Sequence, residues 1–286
     1  MELFYCDESG VPYSVDKLPE LVDQKHVDLD PWYFLGMLAL SEEQRYRTYN
    51  LISNVKNRYV TKLAPFGLLH ERSPESELKG SLILSIAEGQ SVTPHFPLWK
   101  NLGQSEAKRL IEELIEGLVR VGLLGSFYVV AIEQRLLYRK YYRIARSAAF
   151  VALTFLQQRA CVRADSKTTL GALIIDRGSA VENQWNILEF LAARDEISRE
   201  ARVNYDYDRL LLENPLGAIS SDFAQIQVCD VFTHIVSRAV RNRDPKWHWF
   251  QKLLPLIGCS DSGQILGVGL LFYPFPEALP AGFETI

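Results

Sequence analysis

The sequence lacks the segments that would place a protein in or across a membrane. No apolar run reaches the roughly 18 residues that a spanning helix needs. Residues 1–6 carry no basic residue ahead of their apolar side chains, which predicts that no signal peptide is present. The four cysteines, at positions 6, 161, 229 and 259, show no CxxC pair. These absences predict a cytoplasmic protein with reduced cysteines and no membrane partner.

Several catalytic motifs are also missing. The sequence has no HExxH or His-x-His pattern for zinc, no GxSxG for a serine nucleophile, and no Walker loop or strand-linked GxGxxG for a nucleotide cofactor. A net charge of −4 argues against general adhesion to nucleic acid, although it leaves room for a local basic surface.

The pattern of apolar residues predicts an α/β fold in which a sheet is covered by helices. We expect one domain over residues 1–286, with a helical or irregular insertion at about 41–125 and a C-terminal extension at about 247–286. The predicted strands are 2–6, 32–40, 127–132, 170–176 and 265–273. The predicted helices are 42–63 (capped by Ser41), 78–88, one capped by Ser105, 136–163, 181–202, one running from Ser221 to 241, and 247–254.

Two aspartates end predicted strands. Asp7 follows a bulky apolar strand and opens the turn Asp-Glu-Ser-Gly, and Asp176 ends the strand Ala-Leu-Ile-Ile. Ligands bind at the carboxyl ends of strands in open α/β sheets, so both side chains are candidates for a site. Each segment is also good turn chemistry, and that alternative stays open.

Asp230 lies in a predicted helix that is apolar around most of its circumference. At 100° per residue, a single polar stripe runs along this helix, formed by Gln227, Asp230, His234, Arg238 and Arg241. A helix of this kind is expected to be buried, and a buried carboxylate must be paired, protonated or bound to a metal. Gln227 is a candidate to orient that carboxylate and His234 a candidate to support it, unless His234 is simply a hydrogen-bonded core residue.

Glu77 and Lys79 form the weakest signal, because Glu-x-Lys recurs by chance and Glu71 and Glu75 are rival carboxylates nearby. Carboxylate oxygens are the ligands that Mg²⁺ or Mn²⁺ prefers. Four acidic residues in apolar surroundings, from one end of the chain to the other, therefore predict a divalent-cation site and a phosphoryl-transfer enzyme.

Two runs of basic residues offer a surface for a phosphate backbone. The first recurs at spacings of four, four and three, which places it on one side of a helix. It consists of Arg135, Arg139, Arg143 and Arg146, and the second run of Arg238, Arg241, Arg243 and Lys246. A solvated helix face is the alternative for each run taken alone.

The chain resembles one family in these motifs. Tyr5-Cys6-Asp7-Glu8-Ser9-Gly10, Glu77-Leu78-Lys79, the strand that ends at Asp176, and Ser220 with Gln227-Val228-Cys229-Asp230 are similar to the signatures of the family known as domain of unknown function 3800. The resemblance implies a ribonuclease H-like mixed sheet flanked by helices. It also implies two divalent metal ions held by Asp7, Glu77, Asp176 and Asp230, with Lys79 beside them.

On this basis we expect a metal-dependent phosphodiester hydrolase, a nuclease whose substrate is nucleic acid. Asp7 would bridge two ions roughly 4 Å apart, and Lys79 would neutralise a substrate phosphate. The candidate substrate-contacting or supporting residues are Glu8, Ser9, Gln227, His234, Arg139 and Arg143. The alternatives are a non-catalytic module that binds nucleic acid or protein, and a hydrolase of small nucleotides. The sequence does not predict an oligomeric state.

Overall fold

The computed structural model describes residues 1–13, 30–63, 76–91, 98–141, 147–176, 210–211 and 215–286. Within these residues, six strands form one mixed sheet in the order β5-β4-β1-β2-β3-β6. The strands are β1 (Glu2–Ser9), β2 (Trp32–Ser41), β3 (Phe127–Glu133), β4 (Gly171–Asp176), β5 (Leu216–Ala218) and β6 (Leu270–Tyr273).

Only β2 runs against its neighbours. It pairs antiparallel with β1 and β3, whereas the pairs β1–β4, β4–β5 and β3–β6 are parallel. The carboxyl ends of the other five strands therefore meet at one edge of the sheet, and this edge is the one at which a site is expected.

Seven α-helices cover this sheet in the described part of the chain. They are α1 (Glu42–Leu63), α2 (Gly80–Ala87), α3 (Gln104–Arg120), α4 (Gln134–Tyr141), α5 (Ala148–Ser166), α6 (Ala224–Arg241) and α7 (His248–Leu253). Single 3₁₀ turns occur at Trp99–Asn101, Ser220–Asp222 and Leu254–Leu256. None of the described helices is long and apolar enough to cross a membrane.

The helices form a hydrophobic core on each face of the sheet. On one face, Leu3 and Tyr5 of β1 belong to a core shared with α1, α2, α3, α6 and α7. On the other face, Phe4 and Cys6 belong to a core shared with α5. This alternation follows from the two-residue period of a strand, so odd-numbered side chains of β1 point toward α6.

Helix α6 packs very close to the sheet. A Cβ added to Gly36 in β2 would lie 1.9 Å from Oγ1 of Thr233, so only glycine allows this approach. Most of α6 is buried, as its nearly continuous apolar circumference predicts.

The observed elements correct several sequence predictions. The helix predicted at 136–163 is instead two helices, α4 and α5, and α5 begins after Ser147, whose Oγ accepts a hydrogen bond from the amide of Phe150. Ser221 lies in a 3₁₀ turn, and Phe223 precedes α6 at its N-cap. Helix α3 starts at Gln104 after Gly103 rather than after Ser105. The last strand is limited to Leu270–Tyr273.

Other predictions are confirmed or lie outside the described residues. Ser41 does cap α1, because its Oγ accepts from the Gln44 amide at 3.3 Å while Gln44 Oε1 accepts from the Ser41 amide at 3.0 Å. The helix predicted at 181–202 and the rival carboxylates Glu71 and Glu75 lie outside the described residues. The single domain, the insertion at 41–125 and the extension at 247–286 stay predictions.

Candidate active site

Two neighbouring parallel strands deliver Asp7 and Asp176. Cys6 pairs with Ile175, so the next residue of each strand, Asp7 and Asp176, lies beside the other at the sheet edge. Both follow the alternation toward α6, since Tyr5 and Ile174 belong to the core on that face. Asp7 is only 7% exposed, and its Oδ1 accepts a hydrogen bond from the Glu8 amide at 2.7 Å. Asp176 ends β4 as predicted, whereas β1 continues two residues beyond Asp7 to Ser9 because Glu8 and Ser9 still pair with β2, so the prediction that Asp7 opens a turn is wrong.

Helix α6 brings Asp230 to the same place. Its Oδ2 accepts from the backbone amide of Gly80 at 2.7 Å, and its Oδ1 lies 3.2 Å from Nε2 of His234. Asp230 therefore caps the first turn of α2 from a different helix, a role that the side chain of Lys79 at the N-cap does not fill. The Gly80 amide and His234 are the direct partners of this buried carboxylate.

Glu77 and Lys79 enter from the segment before α2. Nζ of Lys79 lies 2.6 Å from Oε1 of Glu77, and the same oxygen accepts a hydrogen bond from the hydroxyl of Ser220. The backbone amide of Ser220 donates to Oδ1 of Asp176 at 3.0 Å. Ser220 thus joins two of the acidic side chains. We call Asp7, Glu77, Lys79, Asp176 and Asp230 the acidic centre.

The acidic centre holds concentrated negative charge. Burial raises the pKa of Asp7 well above its ordinary value, and the neighbouring charges of Asp230 and Asp176 raise it further. Burial also raises the pKa of Asp176, which Lys79 partly offsets. Burial alone would lower the pKa of Lys79, but its hydrogen bond to Glu77 and the charges of Glu77, Asp230 and Asp7 reverse this and leave that pKa raised. Four segments of the chain therefore share one electrostatic site.

Gln227 holds the segments around the acidic centre in place. Its Oε1 accepts hydrogen bonds from the amide of Leu78 and from Nζ of Lys56, both at 3.1 Å. Its Nε2 donates to the carbonyl of Ser220 at 2.8 Å. Gln227 does not bond to Asp230; it positions the backbone on both sides of Glu77 and the turn that carries Ser220.

A line of hydrogen bonds leads away from the acidic centre along α6. Nδ1 of His234 lies 3.1 Å from the hydroxyl of Ser9, which donates to the hydroxyl of Ser237 at 3.1 Å. Arg241 in turn bonds to Ser237 and lies 2.5 Å from Asp30. His234 therefore contacts Asp230 of the acidic centre, and Ser9 contacts His234.

The remaining candidates lie elsewhere. The carboxylate of Glu8 accepts from the hydroxyl of Tyr33 at 2.7 Å, and Tyr33 belongs to the core on the α5 face, so Glu8 points away from the acidic centre. Arg139 is exposed on α4. Arg143 and Arg146 lie outside the described residues. Arg238 bonds to Glu88 and Ser85.

The chemistry of these donor atoms suits a divalent cation, but the present arrangement of the side chains does not. The four acidic residues supply hard oxygen ligands, which suit Mg²⁺ or Mn²⁺. Among the residues that the structure describes, however, no group of three or more His, Cys, Asp or Glu side chains is arranged to hold a metal ion. Coordination by these carboxylates therefore needs side-chain adjustment from the hydrogen bonds they make here.

Three residues that contact the site could not be assigned a role from their positions in the sequence. Ser220, Lys56 and Gly80 received no role, yet they contact Glu77, Gln227 and Asp230 respectively. The only signals available were the Ser-Ser pair before the helix and a glycine directly after Lys79.

Comparison with known proteins returned no match, whether with protein-family models, curated proteins or solved structures. The resemblance to the domain of unknown function 3800 family therefore rests on the motif residues alone.

Proposed function

We propose that this chain is a phosphodiester hydrolase that uses Mg²⁺ or Mn²⁺, and that its substrate is nucleic acid. The observation that carries the proposal is the meeting of Asp7, Asp176, Asp230 and Glu77 at the carboxyl edge of the sheet, where burial, and then the charges of Asp230 and Asp176, raise the pKa of Asp7. A mixed sheet with helices on both faces is also what the ribonuclease H-like resemblance implies, and we propose that fold for the chain.

The charge of the acidic centre favours a cationic ligand. In the described part of the site, four carboxylates surround the ammonium group of Lys79. Bringing carboxylates together out of water costs several kcal/mol unless opposite charge compensates them. A fold that keeps such a cluster at a ligand-binding edge is typical of a metal site.

In this proposal the four carboxylates hold the cation, which would polarise the phosphoryl group and lower the pKa of a water molecule. Lys79, whose side chain is 30% exposed, would place its ammonium against a non-bridging phosphate oxygen. Ser220 would keep the Glu77 and Asp176 carboxylates in register through its two hydrogen bonds. His234 would fix the rotamer of Asp230 from the side away from Gly80.

One observation favours a different function. Each carboxylate of the acidic centre already accepts a hydrogen bond from the protein, as a purely structural network would. On this alternative the chain is a non-catalytic module that binds nucleic acid or protein, and the acidic centre only joins β1, α2 and α6.

Cleavage of labelled oligonucleotides distinguishes the hydrolase from the non-catalytic module. The full chain is incubated with fluorescein-labelled 20-mers of single-stranded RNA and DNA in Mg²⁺, Mn²⁺ or EDTA. We expect products only with metal, and a rate on the order of 10²–10³ lower in Asp7→Asn, the usual loss when a group that stabilises the transition state is removed. Asp261→Asn, in an exposed turn of the C-terminal region, serves as the charge-matched control. No cleavage under any condition, or equal rates in wild type and Asp7→Asn, would contradict the proposal.

A further inference from the structure

A second site lies at the same sheet edge, away from the acidic centre. It is a cleft of about 710 Å³ between the start of β2, the end of β3, α4, the end of α6 and the C-terminal segment 277–281. Trp32 and Glu133, which pair across β2 and β3, form its floor. We call it the arginine cleft.

The arginine cleft joins two basic runs that are a hundred residues apart in the sequence. Arg135 and Arg139 come from α4, Arg241 is the last residue of α6, and Arg243 lies in the turn that follows it. Arg135 is paired with Glu133 at 2.6 Å and Arg241 with Asp30 at 2.5 Å. Arg139 and Arg243 are exposed, and no carboxylate of the described residues forms an ion pair with either. Both guanidinium groups are thus accessible to an anionic ligand, in a cleft that Glu277 also lines.

Its walls suit a ligand with both charged and flat apolar parts. Trp32 is partly exposed and stacks on Phe34 with ring centroids 5.8 Å apart, so its indole is held rigidly. Leu136 and Leu279 add apolar surface. Arginine next to an aromatic ring is the combination that binds nucleic-acid strands through phosphate and base together.

The distance between the arginine cleft and the acidic centre is one that a polymeric ligand can span. Asp7 pairs with Gly36, and Trp32 lies four residues before Gly36 in β2, which is about 13 Å at 3.3 Å per residue. A single strand that keeps the stacked geometry of a duplex covers that distance in about four nucleotides at 3.4 Å each. Arg241 also links the two places, through Ser237, Ser9 and His234 to Asp230.

We propose that the arginine cleft binds the phosphate backbone of a nucleic-acid strand about four nucleotides away from the bond that the acidic centre cleaves. This inference rests on the proposed function and deepens it, because it assigns a polymeric substrate rather than a small nucleotide. Arg139 and Arg243 contact phosphates, and Trp32 contacts a base or sugar.

Binding is tested without cleavage, so that it does not depend on the proposed activity. Fluorescence anisotropy of labelled dT20 and rU20 is measured in EDTA over a range of salt concentrations for wild type and for Arg139→Gln/Arg243→Gln. The loss of two phosphate contacts should weaken binding on the order of tenfold at 0.1 M salt and reduce the slope of log affinity against log salt by about 1.4. Arg109→Gln/Arg120→Gln, on exposed positions of α3, removes the same charge and should leave the slope unchanged.

A second measurement uses chain length. With metal present, the cleft double variant should raise KM for dT20 or rU20 but not for a dinucleotide, which is too short to reach both sites. Equal salt slopes in wild type and the cleft variant, or equal losses in the cleft and α3 variants, would overturn the arginine cleft as a backbone site. Normal binding with no cleavage would instead contradict the proposed function and leave the cleft intact.

Discussion

At the scale of single residues, the acidic centre is a place where the fold tolerates charge that it does not fully neutralise. Lys79 provides a cation beside Glu77, but the pKa of Asp7 is still raised by burial and by Asp230 and Asp176. A group with a raised carboxyl pKa in the folded state destabilises that state once it ionises. Asp7 therefore costs stability at neutral pH, which a structural role alone does not explain.

This predicts that Asp7→Asn stabilises the metal-free protein. The ionised carboxylate destabilises the fold above its folded-state pKa, and the cost disappears as the pH falls toward about 3.9, the value expected in the unfolded chain. Asparagine keeps the acceptor for the Glu8 amide and does not titrate. In EDTA at pH 7.5 we expect a gain of about 1–2 kcal/mol, roughly 2–4 °C in Tm, which shrinks toward pH 4. A gain that grows on acidification would contradict this sign.

Replacing Gln227 with alanine, in contrast, should lower the stability of the protein. Truncation in Gln227→Ala removes an acceptor from the buried Leu78 amide and from Lys56, and a donor from the Ser220 carbonyl. Because these groups stay buried without their partners, we expect the free energy of unfolding measured in urea to fall by about 2–4 kcal/mol. Gln225→Ala, two residues earlier, loses one bond to the Arg45 carbonyl and should cost about 1 kcal/mol. Equal costs would show that Gln227 has no special part in holding the site.

The members of the acidic centre could be chosen from the sequence, while their contacts could not. A carboxylate in an apolar strand or helix is conspicuous in the sequence, so Asp7, Asp176 and Asp230 were all predicted. Ser220 was not given its role, because a serine is ordinary anywhere and its two bonds depend on how the 3₁₀ turn meets Glu77 and Asp176. Gln227 was predicted to orient Asp230 but instead holds backbone groups.

At the scale of elements, periodic segments were predicted well and their ends less well. The continuous basic and apolar pattern of residues 136–163 hid the break before α5, although Ser147 is a good N-cap signal within it. Ser221 is also a good N-cap residue by type, but it lies within the 3₁₀ turn that precedes α6. Local capping chemistry identifies candidates, and tertiary contacts decide which candidate is used.

The contact between α2 and α6 gives a prediction at this scale. A Cβ at Gly80 would lie 2.8 Å from the Asp230 carbonyl and 2.9 Å from Cδ2 of His234, so Gly80→Ala must push the two helices apart. We expect a cost of about 1–3 kcal/mol in urea unfolding, despite the better helix propensity of alanine. Ser81→Ala, the next and exposed residue of α2, is the control and should change stability little. A neutral Gly80→Ala would mean that the helices are not in this close contact.

At the scale of the whole molecule, the site depends on the order of the strands in the sheet, which cannot be read from the hydrophobic pattern of the sequence. Strands β1, β2 and β3 are neighbours in sequence and in the sheet, but β4 joins the far side of β1 and β6 the far side of β3. Hydrophobic periodicity predicts strands without saying which pair. The parallel pairing of β1 with β4 is what sets Asp7 beside Asp176, and α6 then lies across both.

Because the four carboxylates come from β1, β4, α6 and the segment before α2, a cation that joins them should stabilise the whole fold. A ligand that binds only the folded state raises the free energy of unfolding by mass action, by about 2.7 kcal/mol at a hundred times Kd, and so raises Tm. We expect Mn²⁺ or Mg²⁺ to raise the Tm of the wild type, and Asp7→Asn to lose most of that shift. Glu8→Gln is the matched control, since Glu8 is the adjacent acid but faces Tyr33 on the other side of the sheet, so its shift should equal that of the wild type. The same metal response in Asp7→Asn as in Glu8→Gln would mean that any bound ion lies outside the acidic centre.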